Sequence, residues 1–234
     1  MIRFLLLQII AHTISDFYLQ TNKSCADKEQ KGFKSPNLYL HALITFACAW
    51  ILSFSLNFWW WALIIAVSHL LIDAMKCYAS KCKYIFFIDQ LLHLIVIVAV
   101  CYLWNCNLPD CVCCVEERYI ALILGVLVCV KPSNIIIKEI FKAANIKVPK
   151  ESDDNNVGDL PNAGKLIGIV ERLLAFVFVL LGQYEAVGFI IAAKSILRFA
   201  EGDKAKSEYV LIGTLLSFSI AIFVGVAIKL YYGL

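Results

Sequence analysis

Seven ionisable side chains of the kinds that bind metal ions lie within stretches that are otherwise apolar. They are the four histidines of the chain and three aspartates, namely His12, Asp16, His41, His69, Asp73, Asp89 and His93. Six of them form three pairs with a spacing of four (H-T-I-S-D, H-L-L-I-D and D-Q-L-L-H), which places both side chains of a pair on one face of a helix. Imidazole and carboxylate groups in this arrangement commonly bind zinc, manganese or iron. The pattern predicts a site for one or two divalent transition-metal ions, with zinc as the first choice.

The seven groups exceed the ligands of one tetrahedral ion, so some of them have another role if only one ion is bound. Asp89 is the candidate general base, or else a further ligand, and Gln20 and Gln90 adjoin the pattern as candidate donors to the ligands. A metal-free proton path and a purely structural hydrogen-bonding network are the alternatives that the residues leave open.

The elements that must position these residues are membrane-spanning helices. Of the 234 residues, 61% are hydrophobic and 17% are charged, and the mean hydropathy is +0.78. The apolar residues occur in blocks of about 20, the length that a helix needs to cross a bilayer. This composition excludes a soluble globular domain, and the net charge of +3 is too small and scattered for a nucleic-acid-binding surface. The predicted fold is an all-α, polytopic transmembrane helical bundle.

About eight spans are predicted, and seven are possible because Lys131 and Pro132 interrupt the fifth. Pro132 lacks a backbone donor and should kink that helix. The chain divides into a four-helix half at 1–104, a cysteine-rich loop at 105–118 and a second four-helix half at 119–234. The expected spans are Met1–Leu19, Leu38–Leu56, Phe58–Lys76, Tyr84–Trp104, Tyr119–Phe141, Gly164–Leu181, Tyr184–Ala200 and Glu208–Tyr232.

Charge asymmetry predicts the orientation of these spans. With eight of them, fifteen Lys and Arg residues flank one face, and only Arg3, Arg118 and Lys229 flank the other. The positive-inside rule assigns the first face to the cytoplasm, so both termini face away from it. At about 1.5 Å per residue, all seven His and Asp side chains then lie in the cytoplasmic half of the membrane.

Two further groups of residues are candidates for a role. Cys106 and Cys111 lie in the loop assigned to the outer face, where a disulfide can persist. Free thiols are one alternative, and a metal site is the other, although the C-x4-C-x-C-C spacing is not a standard zinc pattern. Basic residues in or beside spans five to seven form either a cationic pocket for an anionic group or structural pairs with Glu171. These basic residues are Lys131, Arg172, Lys194 and Arg198.

The motifs at His12–Gln20, His69–Lys76 and Asp89–His93, together with the lone His41, resemble domain-of-unknown-function family 3307. The resemblance continues through the second-half motifs at Gly168–Arg172, Ala193–Phe199 and Glu208–Leu215, and so it extends over most of the chain. The resemblance implies a bacterial integral membrane protein and, since the activity of that family is not established, little mechanism. The His/Asp pattern also looks like that of predicted membrane-bound metal-dependent hydrolases, with a weaker likeness.

These observations together predict a multi-pass protein of the bacterial inner membrane with both termini in the periplasm. The expected function is a metal-dependent hydrolase that acts on an anionic substrate, either a small phosphate-containing molecule or a lipid, since bound ions of this class activate water. A transporter or channel for metal ions or protons is the first alternative. A membrane anchor or effector subunit with a structural metal is the second.

Overall fold

The computed structural model describes residues 1–78, 82–107, 115–146, 163–199 and 204–233. Within these ranges the chain is helical and contains no strand. A π-helix (Ile14–Leu19) follows the first α-helix, and short 3-10 helices occur at Gly32–Lys34 and Leu56–Phe58. The α-helices are α1 (Ile2–Thr13), α2 (Asn22–Lys31), α3 (Pro36–Ile51), α4 (Trp59–Tyr78), α5 (Ile85–Asn107), α6 (Glu117–Val130), α7 (Pro132–Ala143), α8 (Ala163–Leu180), α9 (Tyr184–Phe199) and α10 (Lys204–Tyr232).

Several of these helices are those of a membrane protein. Among the described residues, four helical stretches are long and apolar enough to cross a bilayer: Ile2–Leu19, Leu56–Tyr78, Ile85–Trp104 and Ser207–Tyr232. A fifth crosses if α6 and α7 form one span, and these two helices are bent by 46° at Lys131. The all-helical prediction and the kink before Pro132 are confirmed, while length and composition support four or five spans.

The chain forms two compact units, Met1–Leu124 and Gly125–Leu234. In the first unit, α1 packs on α3 and α5, α3 packs on α4, and α4 packs on α5. One end of this bundle is an apolar core, where the Phe58 ring lies 4.9 Å from Phe4 and 5.1 Å from Trp104. The polar His and Asp residues occupy the other end, because they lie near the carboxyl ends of α1 and α4 and near the amino ends of α3 and α5.

Helix α2 is the polar element of the first unit. The Thr21 hydroxyl caps its amino end by accepting a hydrogen bond from the Ser24 N–H at 3.2 Å. Gly32 ends it with a positive φ of 52°, a backbone conformation that glycine adopts without steric cost. The chain then returns into α3, and α2 lies against α3 and α4 at the polar end of the bundle.

In the second unit, α10 is the central helix, and α7, α8 and α9 pack on it. The α8–α10 contact is close because Gly225 has no side chain. A Cβ atom at Gly225 would lie 2.9 Å from the Val179 side chain, so a larger residue there would push the two helices apart.

Candidate metal centre

The structure brings all seven predicted His and Asp residues into one buried cluster. Each of the four helical elements contributes one or two of them: α1 with the π-helix, α3, α4 and α5. The Asp16 side chain is 8% exposed. The other six residues are at most 9% exposed, and they are His12, His41, His69, Asp73, Asp89 and His93.

The first part of this cluster, the Asp16 group, consists of Asp16 and three histidines. Asp16 Oδ1 lies 3.6 Å from His12 Nδ1 and 3.4 Å from both His41 Nε2 and His69 Nε2. The two Nε2 atoms of His41 and His69 are 2.9 Å apart. Ligands that surround a tetrahedral zinc ion at about 2.0–2.1 Å are separated from one another by about 3.3–3.4 Å. The three separations from Asp16 Oδ1 are close to this value, whereas the 2.9 Å between His41 Nε2 and His69 Nε2 is that of a hydrogen bond.

The second part of the cluster, the Asp89 group, consists of Asp73, Asp89 and His93. His93 Nε2 lies 3.5 Å from Asp89 Oδ1 and 3.9 Å from Asp73 Oδ1. The His93 ring stacks on the His69 ring with 3.9 Å between centroids, so this group directly adjoins the Asp16 group. The ligand atoms of the three residues lie within 4.8 Å of one another, and they can also hold an ion.

A local change of helix type positions Asp16. The helix is α-helical to Thr13 and π-helical from Ile14 to Leu19, so Asp16 lies in a wider turn than an α-helical sequence pattern implies. Ser15 in this segment shares a hydrogen bond of 2.7 Å with Thr45 of α3, which holds the π-helix against its neighbour. Single π-helical turns are frequent at functional sites, and no feature of the sequence indicates this one.

Donors outside the cluster hold the second oxygen of each aspartate. Lys28 of α2 donates to Asp73 Oδ2, and Lys76 of α4 donates to Asp89 Oδ2 at 2.8 Å. Gln90 Nε2 donates to Asp16 Oδ2 at 3.3 Å and to Asp89 Oδ2 at 3.2 Å. The Oδ1 atoms of the three aspartates are thereby directed toward the histidines. Partners of this kind orient metal ligands in proteins.

Gln20 and Gln90 were the two donors predicted from the sequence, and Gln90 is the one that donates hydrogen bonds to the aspartates. Gln20 follows the π-helix, and the structure gives it no hydrogen bond to the cluster residues that it describes. Sequence reasoning missed Lys28, which it counted only as a loop charge. The available signal was the excess of three buried carboxylates, since buried charges are paired or bind metal.

Four atoms of the cluster are buried without a hydrogen-bond partner: His12 Nδ1, Asp16 Oδ1, Asp89 Oδ1 and His93 Nε2. The described residues contain one further side-chain atom of this kind, Gln8 Oε1. Buried polar atoms are normally paired, and each unpaired one costs free energy. The four form two pairs, His12 Nδ1 with Asp16 Oδ1 at 3.6 Å and His93 Nε2 with Asp89 Oδ1 at 3.5 Å. Each pair combines a nitrogen with a carboxylate oxygen, the ligand types that divalent transition-metal ions take.

The family of this chain follows from a match to a known family over residues 4–121, described as "Protein of unknown function (DUF3307)". The chain belongs to the DUF3307 family. The matched residues include every His and Asp of the cluster, together with Lys28, Lys76 and Gln90. No curated protein and no solved structure matches the chain.

The basic residues proposed to bind an anion lie beyond the DUF3307 match. Arg172 of α8 is 2% exposed and donates from Nε to the Cys129 carbonyl at 2.6 Å. It also donates from Nη1 to Ser217 Oγ at 2.8 Å and from Nη2 to Asn134 Oδ1 at 2.7 Å. Arg172 therefore stabilises the carboxyl end of α6 at the break before Pro132, where helix carbonyls lack intrahelical partners.

The other three basic residues do not share these contacts. Lys194 donates to Glu171 Oε2, the structural pair that was one of the two sequence-based interpretations. Lys131 lies between α6 and α7. The side chains of Arg198 and Cys106, and the whole of Cys111, lie outside the described residues. Anion binding by the four basic residues and a Cys106–Cys111 disulfide stay predictions.

Proposed function

We propose that this chain is a membrane metalloprotein that binds zinc within its first helical unit. The supporting observation is the Asp16 group, in which three imidazole nitrogens lie 3.4–3.6 Å from one carboxylate oxygen. Its ligands are His12, Asp16, His41 and His69, each from a helix that packing holds in place. Asp73, Asp89 and His93 complete the cluster beside them.

We further propose eight spans in the bacterial inner membrane, with both termini in the periplasm. Besides the four long apolar helices and the α6–α7 pair, α3 is an apolar helix of 16 residues, and α8 and α9 have 18 and 16 residues. The polar end of the first unit lies on the face that fifteen Lys and Arg residues flank, and the positive-inside rule assigns that face to the cytoplasm. Reporter fusions at residue 155 and at the carboxyl terminus test this topology, and a periplasmic signal at residue 155 would contradict it.

The chemistry proposed for this site is hydrolysis of an anionic substrate, a phosphate-containing molecule or a lipid. A bound zinc ion supplies Lewis-acid character and activates water. The protein itself supplies a carboxylate that can accept a proton, and Asp89 is the candidate because its Oδ1 is buried and unpaired. Lys76 and Gln90 hold the other oxygen of Asp89, and so they orient the unpaired one.

A one-sided site is favoured over a transport path by the apolar end of the first unit. Beyond the cluster, the bundle is closed by a buried core that includes Phe4, Phe58 and Trp104 and that offers an ion no imidazole or carboxylate ligand. An ion crossing here would lose its ligands for the rest of the membrane, at a cost of several kcal/mol. Ion flux through protein reconstituted in liposomes would favour the transporter instead.

Elemental analysis of the protein purified in mild detergent tests the metal, and Asp89→Asn tests the reaction. The purified chain is expected to contain zinc, and His12→Ala to lose it while still inserting in the membrane. Asp89→Asn keeps a side chain of the same shape that cannot accept the proton, so it should retain zinc and abolish function in cells. Full function of Asp89→Asn would show that Asp89 is not the general base. Loss of zinc in Asp89→Asn would show that Asp89 is a metal ligand.

A further inference from the structure

The two groups of the cluster differ in the donors that hold their aspartates. Asp16 receives its outer hydrogen bond from a neutral amide, that of Gln90. Asp73 and Asp89 are instead paired with ammonium groups, those of Lys28 and Lys76. The Lys28 side chain is 8% exposed and the Lys76 side chain 31%, so both charges are withdrawn from bulk water to different degrees.

This difference sets the charge of each group. Histidines that ligate a metal are neutral, so the Asp16 group carries one uncompensated negative charge. In the Asp89 group, two carboxylates face two ammoniums, and their charges cancel. A divalent ion beside Asp16 leaves the whole cluster with one net positive charge. A second ion in the Asp89 group would raise that charge in apolar surroundings and would be repelled by both lysines.

The Asp89 group nonetheless has the atoms of an ion site. Asp89 Oδ1 and His93 Nε2 are buried without a hydrogen-bond partner, in residues that are 2% and 3% exposed. They lie 3.5 Å apart, and Asp73 Oδ1 is 3.9 Å from the same nitrogen. Besides its ligand types, two carboxylates and one imidazole, this group differs from the Asp16 group in the cations bonded to the opposite oxygens of its aspartates.

We propose that the ammonium groups of Lys28 and Lys76 take the place of a second divalent ion at the Asp89 group. The native chain therefore binds one divalent ion, in the Asp16 group. This inference rests on the proposed function, because it requires that the Asp16 group binds a metal. It assigns α2 a role at the site, since α2 delivers Lys28 from outside the membrane-spanning helices. Asp27 fastens α2 over the cluster by accepting hydrogen bonds from Ser35 and from Asn37.

The test counts zinc ions per chain after the purified protein is loaded with zinc chloride and desalted. Wild type is expected to hold one zinc ion, and the Lys28→Met/Lys76→Met double variant to hold two. Lys28→Gln is a milder variant, since its amide still donates to Asp73 while the charge is gone, and it is also expected to gain zinc. Lys23→Met, which removes an exposed lysine of the same helix, is the matched control and should hold one.

Adding His12→Ala locates the ions. In the wild-type background it should abolish zinc binding, and in either lysine variant it should leave one zinc ion, in the Asp89 group. Two ions in wild type, or a single ion in both lysine variants, would overturn this inference and leave the proposed function intact. No zinc in wild type would overturn the proposed function itself.

Discussion

Asp16 in the first unit and Arg172 in the second are both charged residues at the centre of a buried polar cluster, and their partners differ. Arg172 donates from three nitrogens to a carbonyl, a hydroxyl and an amide oxygen, all within 2.8 Å. Asp16 Oδ1 faces three imidazole nitrogens at 3.4–3.6 Å, and none of these contacts is a hydrogen bond.

The comparison separates a cluster that is complete from one that needs a further group. In the described part of the chain, all five unpaired buried side-chain atoms belong to the first unit, and four of them are in the His/Asp cluster. Buried polar groups without partners cost stability, and proteins retain them where a ligand completes them. We therefore expect mutations at Arg172 to affect folding and mutations at the His/Asp cluster to affect binding.

Arg172→Met should have the largest effect on stability. It leaves the Cys129 carbonyl, Asn134 and Ser217 without their partner, and several lost hydrogen bonds to a buried charge cost about 3 kcal/mol or more. The free energy of unfolding, measured in detergent, should fall by that amount. Lys194→Met, which breaks the half-buried pair with Glu171, is the control and should cost about 1 kcal/mol or less. Wild-type stability of Arg172→Met would contradict the structural role.

Zinc should stabilise the wild-type protein and leave His41→Ala unchanged. Zinc at about a hundred times its dissociation constant adds about 2.7 kcal/mol to the free energy of unfolding. Without zinc, His41→Ala loses the 2.9 Å hydrogen bond between the Nε2 atoms of His41 and His69, so the measurement with chelator gives the cost of the substitution itself. Thermal unfolding with zinc and with a chelator measures both. An equal rise in Tm for the two proteins would place zinc elsewhere.

Gln90→Ala and Asn134→Ala compare two amides that orient the central charged residue of each cluster. Asn134→Ala leaves Arg172 Nη2 and the Val130 carbonyl without a partner, so it should lower stability by about 1–2 kcal/mol. Gln90→Ala frees Asp16 Oδ2, and loss of such an orienting partner weakens metal affinity about 10–100-fold. Zinc titrations and unfolding curves of both variants should show these opposite patterns. Equal changes in zinc affinity and in stability for the two variants would contradict the distinction between a ligand-binding cluster around Asp16 and a structural cluster around Arg172.

Protonation of Asp27 at acid pH should weaken the hydrogen bonds that hold α2 in place. This is the smallest of the expected effects. Hydrogen bonds from Lys31, Ser35 and Asn37 hold the pKa of the Asp27 carboxyl well below its usual range. A lowered pKa in the folded state means that the stabilisation is complete above the unfolded pKa of about 3.9 and is lost as the pH falls below it. Hydrogen exchange of the α2 amides, corrected for intrinsic rates, should therefore rise below about pH 4. Asp27→Asn should abolish this pH dependence.

The positions of the helices and the composition of the His/Asp cluster could be predicted from the sequence because both depend on local patterns. Apolar blocks separated by charged loops indicate the membrane helices, and a spacing of four places His69 and Asp73 on one helix face. Pro132 indicates the bend between α6 and α7 because a missing backbone donor acts on its own helix. No contact with a distant residue is needed for any of these inferences.

The roles of Lys28, Arg172 and the π-helix depended on contacts between distant segments. Lys28 reaches Asp73 only because α2 folds back against α4, and its exposed-loop sequence carries no mark of that burial. Arg172 was a candidate anion-binding residue because its side chain is a cation in an apolar stretch. Its three partners come from α6, α7 and α10, which only the packing of these helices brings together. Hydropathy and spacing determine which residues enter the membrane, while the packing of the helices determines which atoms of those residues are left to bind a ligand.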